Sequence, residues 1–198
     1  MDERIELIDA MKTLVYLRMT NPRGGNGSIR LDEEWILVTP SGVAKHRLEP
    51  EDLVEYNIKT GKYKGKHKPS IEVQAHALIY LKNPSAKAVL HAHTPYTLAL
   101  TDIGLDNWWK AGLVEIKYSV GEVAVARPAE PGTLELAENI ADLIAEGANI
   151  VIVPRHGVFA WGRKVHEALD IIVSLEEAAE YVFVRTVLDT LKTMSRRM

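Results

Sequence analysis

The stretch that most constrains this chain is residues 88–95, where an apolar run leads into two histidines spaced one residue apart. Its sequence is Ala-Val-Leu-His-Ala-His-Thr-Pro. Successive side chains of a β-strand point to opposite faces of its sheet. We therefore expect a strand that presents His91 and His93 on one face, where they can share a metal ion. Because a lone histidine is more often structural, the pair indicates a metal centre only with a third ligand and a nearby carboxylate.

Composition limits the classes of protein that this chain can be. At 198 residues and 46% hydrophobic, it can build one sizeable core, so we expect a single domain over residues 1–198. The net charge of −3 comes from interleaved acids and bases, and we expect no nucleic-acid partner and no membrane partner. Without cysteine, the possible metal ligands are His, Asp and Glu. The acidic N-terminus and the lack of a long apolar run predict a cytoplasmic protein.

Local sequence patterns predict strands with hairpin spacing at the front of the chain and interleaved helices later. This order is typical of a mixed, mostly antiparallel sheet covered by helices. The predicted helices are 2–19, 71–81, 95–102, 131–147 and 164–193, and the predicted strands include 35–38, 53–58, 112–118, 150–153 and 158–161.

Two further residues are candidates for the missing ligand and carboxylate. His156 lies in a predicted turn between two strands, a position where a third ligand is often held. Together with His91 and His93 it would leave one coordination position open, as catalytic zinc sites do. Glu72 begins a predicted helix, where an acid is also common simply because it interacts well with the helix dipole. Spacing along the chain does not bring Glu72 to the histidines.

A set of motifs spread over residues 5–185 resembles the class II aldolase and adducin-head family. The resemblance implies an α/β fold with three α/β/α layers and a mostly antiparallel central sheet. It also implies Zn²⁺ or another divalent metal on His91, His93 and His156, with Glu72 as the catalytic acid/base, in a homotetramer with active sites at subunit interfaces. The motifs are Pro69-Ser70-Ile71-Glu72 with His76, His91-Ala92-His93, Pro131-Gly132-Thr133-Leu134-Glu135-Leu136, Arg155-His156-Gly157 and Glu176-Glu177-Ala178-Ala179-Glu180.

The same resemblance implies a small phosphorylated sugar as substrate. Its phosphate would bind small polar loops at Asn26, Ser41, Gly42 and Ser70. Backbone N–H groups and short hydroxyls suit an anion, although these residue types are also chosen for turn conformation alone. The implied enzyme is a zinc-dependent aldolase for a ketose 1-phosphate such as L-fuculose 1-phosphate. It would interconvert that substrate with dihydroxyacetone phosphate and a short aldehyde such as lactaldehyde, through a metal-stabilised enediolate.

The resemblance is incomplete, and further functions stay open. Ile71 replaces a second serine of the relatives, and residues 127–131 lack a tyrosine found in the fuculose-phosphate enzyme, so the proton donor is open between Tyr118 and a bound water. One alternative is a sugar-phosphate dehydratase of the methylthioribulose-1-phosphate type. A pentulose-phosphate 4-epimerase is disfavoured because that branch typically has aspartate at the position of Glu72. An adducin-like assembly module would be non-enzymatic and would lack the metal ligands.

Overall fold

The computed structural model describes residues 2–105, 107–114 and 116–196. Short 3₁₀ helices cover Lys45–Arg47, Pro50–Asp52 and Trp108–Ala111. The α-helices are α1 (Glu3–Tyr16), α2 (Val73–Lys82), α3 (Pro95–Asp102), α4 (Ile116–Ser119), α5 (Leu134–Ala145) and α6 (Val165–Ser195). The strands are β1 (Asn26–Arg30), β2 (Trp35–Val38), β3 (Val54–Asn57), β4 (Tyr63–Lys64), β5 (Ala88–Ala92), β6 (Val123–Val125), β7 (Ile150–Val153) and β8 (Gly157–Gly162).

Within the described residues, eight strands form one sheet in the order β4-β3-β2-β1-β5-β8-β7-β6. Neighbouring strands are antiparallel except for the pair β6 and β7 at one edge. Strand β5 lies in the interior of the sheet, between β1 and β8. The predicted α/β class with a mostly antiparallel sheet is therefore confirmed, and the strand that carries the histidine pair is one of its central strands.

The helices cover both faces of the sheet and so complete three layers. Val89 and Leu90 are consecutive on β5, point to opposite faces, and belong to two separate buried clusters. Val89 packs in the cluster that contains side chains of α2 and α5, whereas Leu90 packs with side chains of α1 and α6. Burying one such side chain contributes about 1.5–3 kcal/mol, so both helical layers hold β5 firmly in place.

The strand predicted over residues 112–118 is wrong. Residues 108–111 form a 3₁₀ turn, Ile116–Ser119 form the short helix α4, and the edge strand lies further on, at β6. Ile116 and Val120 are buried four residues apart, and the Val120 N–H donates to the Ile116 carbonyl. Val114 and Tyr118 are exposed. Burial therefore follows a helical period, although the apolar residues alternate as in a strand.

Helix α6 is buried along its first half and exposed along its second. Residues from Val165 to Val182 contribute eight buried apolar side chains to the cluster against the sheet, and Glu176 is also buried there. Beyond Val182 the large apolar side chains are exposed, and they are Phe183, Val184, Val187, Leu188, Leu191 and Met194. In the part of the chain that the structure describes, no helix combines the length and apolar character needed to cross a membrane.

Candidate metal centre and substrate pocket

The register of the sheet assembles the first part of the site. His91 on β5 lies directly opposite Asn26 on β1 and opposite Phe159 on β8. The His91 imidazole stacks on the Phe159 ring, with centroids 4.2 Å apart. Two neighbouring strands thus fix both the position and the ring plane of one histidine.

The three predicted metal ligands converge. The Nε2 atom of His91 lies 3.0 Å from Nε2 of His93 and 3.1 Å from Nε2 of His156. The candidate ligand atoms of all three residues lie within 4.8 Å of one another. A tetrahedral ion with metal–nitrogen bonds of about 2.0–2.1 Å separates its nitrogen ligands by about 3.3–3.4 Å. The group can therefore hold a divalent metal after small adjustments.

Hydrogen bonding and burial prepare His91 for that role. Its Nδ1–H donates to the carbonyl of Val158 at 3.0 Å, which leaves the Nε2 lone pair directed at the other histidines. Burial lowers the pKa of His91 to about 3, so the imidazole is neutral at pH 7. Burial also lowers the pKa of His93. Neutral imidazoles are the form that binds metals, so the donor set fits the expected ion.

Glu72 completes the cluster. It is the residue that precedes the first turn of α2 and is only 7% exposed. Its Oε2 lies 3.2 Å from Nε2 of His91, and its Oε1 lies 3.0 Å from Nε2 of His156. Burial raises the pKa of this carboxyl, but the nearby histidines and the hydrogen bond from Asn26 outweigh burial and leave the pKa below its ordinary value. Glu72 is therefore a carboxylate held against nitrogens of the candidate metal ligands.

A buried hydrogen-bonded chain orients Glu72. The Asn26 Nδ2 donates to Glu72 Oε2 at 2.7 Å, so the Asn26 Oδ1 accepts from Nε2 of His76. Burial lowers the pKa of His76 to about 4, and a neutral imidazole has one donor and one acceptor. Its Nδ1 therefore accepts from the Ser28 hydroxyl at 2.7 Å, and Tyr80 lies 2.9 Å from that hydroxyl. This chain fixes which way the Asn26 amide points.

A cavity of about 400 Å³ opens beside the cluster. Every predicted site residue lines it except His91, which is fully buried behind the other ligands. Tyr118, one option for the proton donor, lies outside its lining and is 79% exposed. The lining residues are Arg23, Gly24, Gly25, Asn26, Pro40, Ser41, Gly42, Lys45, Ser70, Ile71, Glu72, His93, Pro131, Arg155 and His156.

Three basic residues of the cavity were missed by the sequence interpretation. Arg23, Lys45 and Arg155 line the same space as Glu72. Each lies in a loop or a single short turn, where charged residues ordinarily face solvent. For Arg155, its position directly before the predicted ligand His156 could have indicated a place in the site. For Arg23 and Lys45 no local pattern distinguishes them from the other surface charges of the chain.

Gly157 permits the close approach of β8 to the histidines. A Cβ atom at this position would lie 2.3 Å from the Ala92 carbonyl oxygen and 2.6 Å from Cε1 of His91. The contact with a backbone atom cannot be relieved by rotating a side chain. Glycine is therefore required where β8 begins, immediately after the candidate ligand His156.

The structure combines a layered α/β domain with three convergent histidines, a buried carboxylate and a polar cavity. This combination is typical of metal-dependent enzymes. The chain belongs to the class II aldolase and adducin family, since the family model described as Class II Aldolase and Adducin N-terminal domain matches residues 5–183. The resemblance drawn from the sequence motifs is thereby confirmed.

Individual relatives are named for more than one reaction. The chain is 34% identical over 164 residues to a 3-oxo-tetronate 4-phosphate decarboxylase of Haemophilus influenzae, covering 80% of this chain and 76% of that protein. It is 33% identical over 179 residues to an L-fuculose phosphate aldolase of Methanococcus maripaludis, covering 90% and 95%. A solved structure of L-fuculose 1-phosphate aldolase superposes with a TM-score of 0.81 at 28% identity, covering 94% and 87%. The expected enzyme class, a lyase of this family, is confirmed.

Proposed function

We propose that this protein is a divalent-metal-dependent aldolase that cleaves or forms a small ketose 1-phosphate such as L-fuculose 1-phosphate. Its smaller reactants would be dihydroxyacetone phosphate and a short aldehyde such as lactaldehyde. One observation carries the proposal. The Glu72 carboxylate lies 3.0–3.2 Å from the Nε2 atoms of His156 and His91, and Glu72 lines a cavity that the predicted phosphate-binding residues also line.

The residues in and beside the cavity would have different roles in the reaction. A metal on the three histidines would act as a Lewis acid toward negative charge on the substrate oxygens. Glu72 would take the proton from the carbon beside the substrate carbonyl during condensation and return it during cleavage. Asn26, oriented by His76, donates to the carboxylate and would hold it in position for this transfer. Asn26, Ser41, Gly42 and Ser70, which line the cavity, would hold the substrate phosphate.

Decarboxylation of a phosphorylated 3-oxo acid is a second candidate. The H. influenzae relative is named for such a reaction. Arg23 and Arg155 also line the cavity, and guanidinium groups suit a substrate carboxylate. Loss of carbon dioxide and loss of an aldehyde both leave an electron pair on a carbon beside a carbonyl. The same metal ligands and the same Glu72 would therefore serve either reaction.

A dehydratase of the methylthioribulose-1-phosphate type is a third candidate, because a relative from Methylococcus capsulatus, 31% identical over 187 residues, is named for that reaction. It would use the same metal ligands. A non-enzymatic assembly module receives less support. An adducin-like assembly module has no need of three convergent histidines or of a buried carboxylate. The preservation of both in one cavity favours an enzyme.

The proposal includes Zn²⁺ as the metal, a cytoplasmic location and a homotetramer with interfacial active sites. The exposed apolar side chains at the end of α6, among them Phe183, Leu188 and Leu191, support self-association, because monomeric proteins rarely expose large apolar patches. Light scattering on the purified protein tests the tetramer, and a monomer at micromolar concentration would contradict it.

A panel of reactions tests the activity. The zinc-loaded protein is incubated with dihydroxyacetone phosphate and short aldehydes, with 3-oxo-tetronate 4-phosphate, and with 5-methylthioribulose 1-phosphate. Carbon–carbon condensation supports the aldolase, release of carbon dioxide without condensation selects the decarboxylase, and loss of water selects the dehydratase. The His156→Ala variant, assayed in parallel, shows whether any turnover depends on the proposed metal site. A lack of turnover with every substrate of the panel would contradict the proposed function.

A further inference from the structure

Lys45 is a buried lysine with no acidic partner among the described residues. It begins the 3₁₀ helix Lys45–Arg47 and is only 2% exposed. Its Nζ donates to the carbonyl of Val43 at 3.0 Å and to the carbonyl of Pro40 at 3.4 Å. None of the ion pairs found in the described part of the chain includes it. Burying an ammonium without a carboxylate costs several kcal/mol, which calls for a physical reason.

The position of Lys45 supplies a physical reason for its burial. The two carbonyls that its ammonium contacts belong to residues that flank Ser41 and Gly42, the predicted phosphate loop. Lys45 lines the same cavity as that loop. A lysine ammonium has three N–H donors, and the two carbonyls use two of them. The third has no hydrogen-bond partner among the described residues.

The charge of the cavity points to an anionic ligand. Its lining contains three permanently or largely cationic side chains, Arg23, Lys45 and Arg155, and one carboxylate, Glu72. Burial lowers the pKa of Lys45 to about 8, so the amine is still mostly protonated at pH 7. The whole chain carries a formal charge of −3. Positive charge is therefore concentrated in this cavity against the overall sign of the protein.

We propose that Lys45 determines specificity by binding the substrate phosphate beside the Ser41–Gly42 turn, so that phosphorylated substrates are selected over their uncharged counterparts. The inference rests on the proposed function for the organic part of the substrate. The contact with phosphate itself is the same for the aldolase and the decarboxylase.

A purely structural role for Lys45, in which the ammonium only holds the turn, makes different predictions. Lys45→Met removes the charge and retains most of the side-chain volume. Lys68→Met is the matched control, because Lys68 is an exposed lysine next to the same turn and lies outside the cavity lining. Its backbone carbonyl accepts from the Ser41 N–H, and that contact is unaffected by the substitution.

Calorimetry with inorganic phosphate and the zinc-loaded protein tests the contact directly. A charge-assisted hydrogen bond corresponds to a change in affinity of about ten- to a hundredfold, so Lys45→Met should weaken phosphate binding by that factor. Lys68→Met should leave it within about twofold. Phosphate affinity in Lys45→Met within about twofold of the wild type, in a folded protein, overturns the proposal. Lys45-dependent phosphate binding without turnover of any substrate would instead overturn only the proposed function.

Two further measurements keep the proposal testable if Lys45→Met does not fold. In wild-type protein labelled with ¹³C at lysine Cε, the Lys45 resonance, assigned with Lys45→Arg, should shift on addition of inorganic phosphate. An unchanged resonance at saturating phosphate overturns the proposal. With the active enzyme, Lys45→Arg should retain the preference for dihydroxyacetone phosphate over dihydroxyacetone, because it retains the charge. Loss of that preference in a charged variant would contradict the charge-based selection.

Discussion

Among single residues, Asn26 shows how one side chain can serve two needs. Both ends of its amide are engaged in the buried chain, with Glu72 on one side and His76 on the other. Its Nδ2 carries two hydrogens, and the bond to Glu72 uses one. The second hydrogen is available in the cavity, so the predicted contact between Asn26 and the substrate phosphate remains a prediction that is compatible with the role beside Glu72.

Replacing Glu72 with Gln should separate proton transfer from folding. Glutamine has the same shape and can still pack beneath Asn26, but it cannot accept a proton. We expect turnover to fall by about 10²–10⁴-fold, in the range for loss of a general acid/base, with thermal unfolding and zinc content close to those of the wild type. Steady-state kinetics and metal analysis check this. Near-normal turnover would show that Glu72 is not the acid/base of the reaction.

Removing a histidine should abolish metal binding and turnover together. His91→Ala and His156→Ala each leave two imidazoles, which is fewer than the three protein ligands of catalytic zinc sites. Atomic absorption after dialysis and an activity assay measure the two properties. His166→Ala is a suitable control, because His166 is exposed and lies on α6. Full zinc occupancy in His91→Ala would contradict the metal-site assignment.

The residues differ in how far the sequence could predict them. His91 and His93 could be predicted as a pair because a two-residue period puts both on one face of a strand. Glu72 needed the family resemblance, since its contact with the histidines depends on how α2 packs beside β1 and β5. The ammonium of Lys45 could not be placed, because the burial of a loop residue depends on tertiary packing that local patterns do not encode.

At the scale of elements, the junction of β5 and β8 sets the geometry of the metal centre. The two strands pair from Ala88 and Gly162 at one end to Ala92 and Val158 at the other. Helices α1 and α6 on one face and α2 and α5 on the other hold this pair of strands in place. The precision of the site therefore comes mainly from strands, while the proposed contacts with substrate lie in loops.

Gly157→Ala should damage the metal centre through the backbone. The added Cβ would meet the Ala92 carbonyl at 2.3 Å, so β8 must move away from His91 and His93. We expect a loss of about 1–3 kcal/mol in unfolding free energy and about ten- to a hundredfold in zinc affinity. Urea unfolding and titration against a competing chelator measure these quantities. Gly112→Ala is the control, because a Cβ there meets its nearest neighbours at 3.4 Å, and equal effects in both variants would contradict the prediction.

Element boundaries were predictable where a periodic pattern and a stop signal coincide. Helix α3 begins at Pro95 and ends at Asp102, as predicted, and β7 covers the predicted residues 150–153. Near α4 the apolar residues Val114, Ile116, Tyr118 and Val120 alternate with polar residues, so the local pattern predicts a strand where the chain forms a short helix. The family resemblance supplied the three layers, because periodicity alone does not determine which helix covers which face.

At the scale of the whole molecule, one ion-pair cluster should link stability to acid pH. Asp52 accepts from Lys66 at 2.9 Å and from the Glu49 N–H at 2.9 Å, and it lies 3.1 Å from His67. The hydrogen bond from Lys66 is the main cause that lowers the pKa of Asp52 to about 2, although burial opposes the shift. A lowered folded-state pKa stabilises the protein above the unfolded-state value of 3.8, and that contribution is lost as the pH falls toward 2.

Asp52→Asn should therefore destabilise the protein at neutral pH and not in acid. Because the Lys66 side chain is 54% exposed, we expect a modest loss of about 1 kcal/mol in unfolding free energy at pH 7. The difference from the wild type should shrink below pH 4 and vanish near pH 2. Urea unfolding across this range measures it, with the exposed Asp170→Asn as control. A difference that stays constant with pH would exclude the linkage.

The location of His91 within β5, and not in a loop, has a consequence for how the protein acquires its metal. Its ring is stacked on Phe159 and hydrogen-bonded to the Val158 carbonyl by contacts that involve protein atoms alone. His93 and His156 stand just beyond strand ends and are partly exposed. We therefore expect His91 to keep its position when no metal is bound, and a metal to enter and leave by rotation of the two outer rings without unfolding of the sheet. If so, the protein will regain a metal by simple reconstitution after chelation, unlike domains that fold only around their ion.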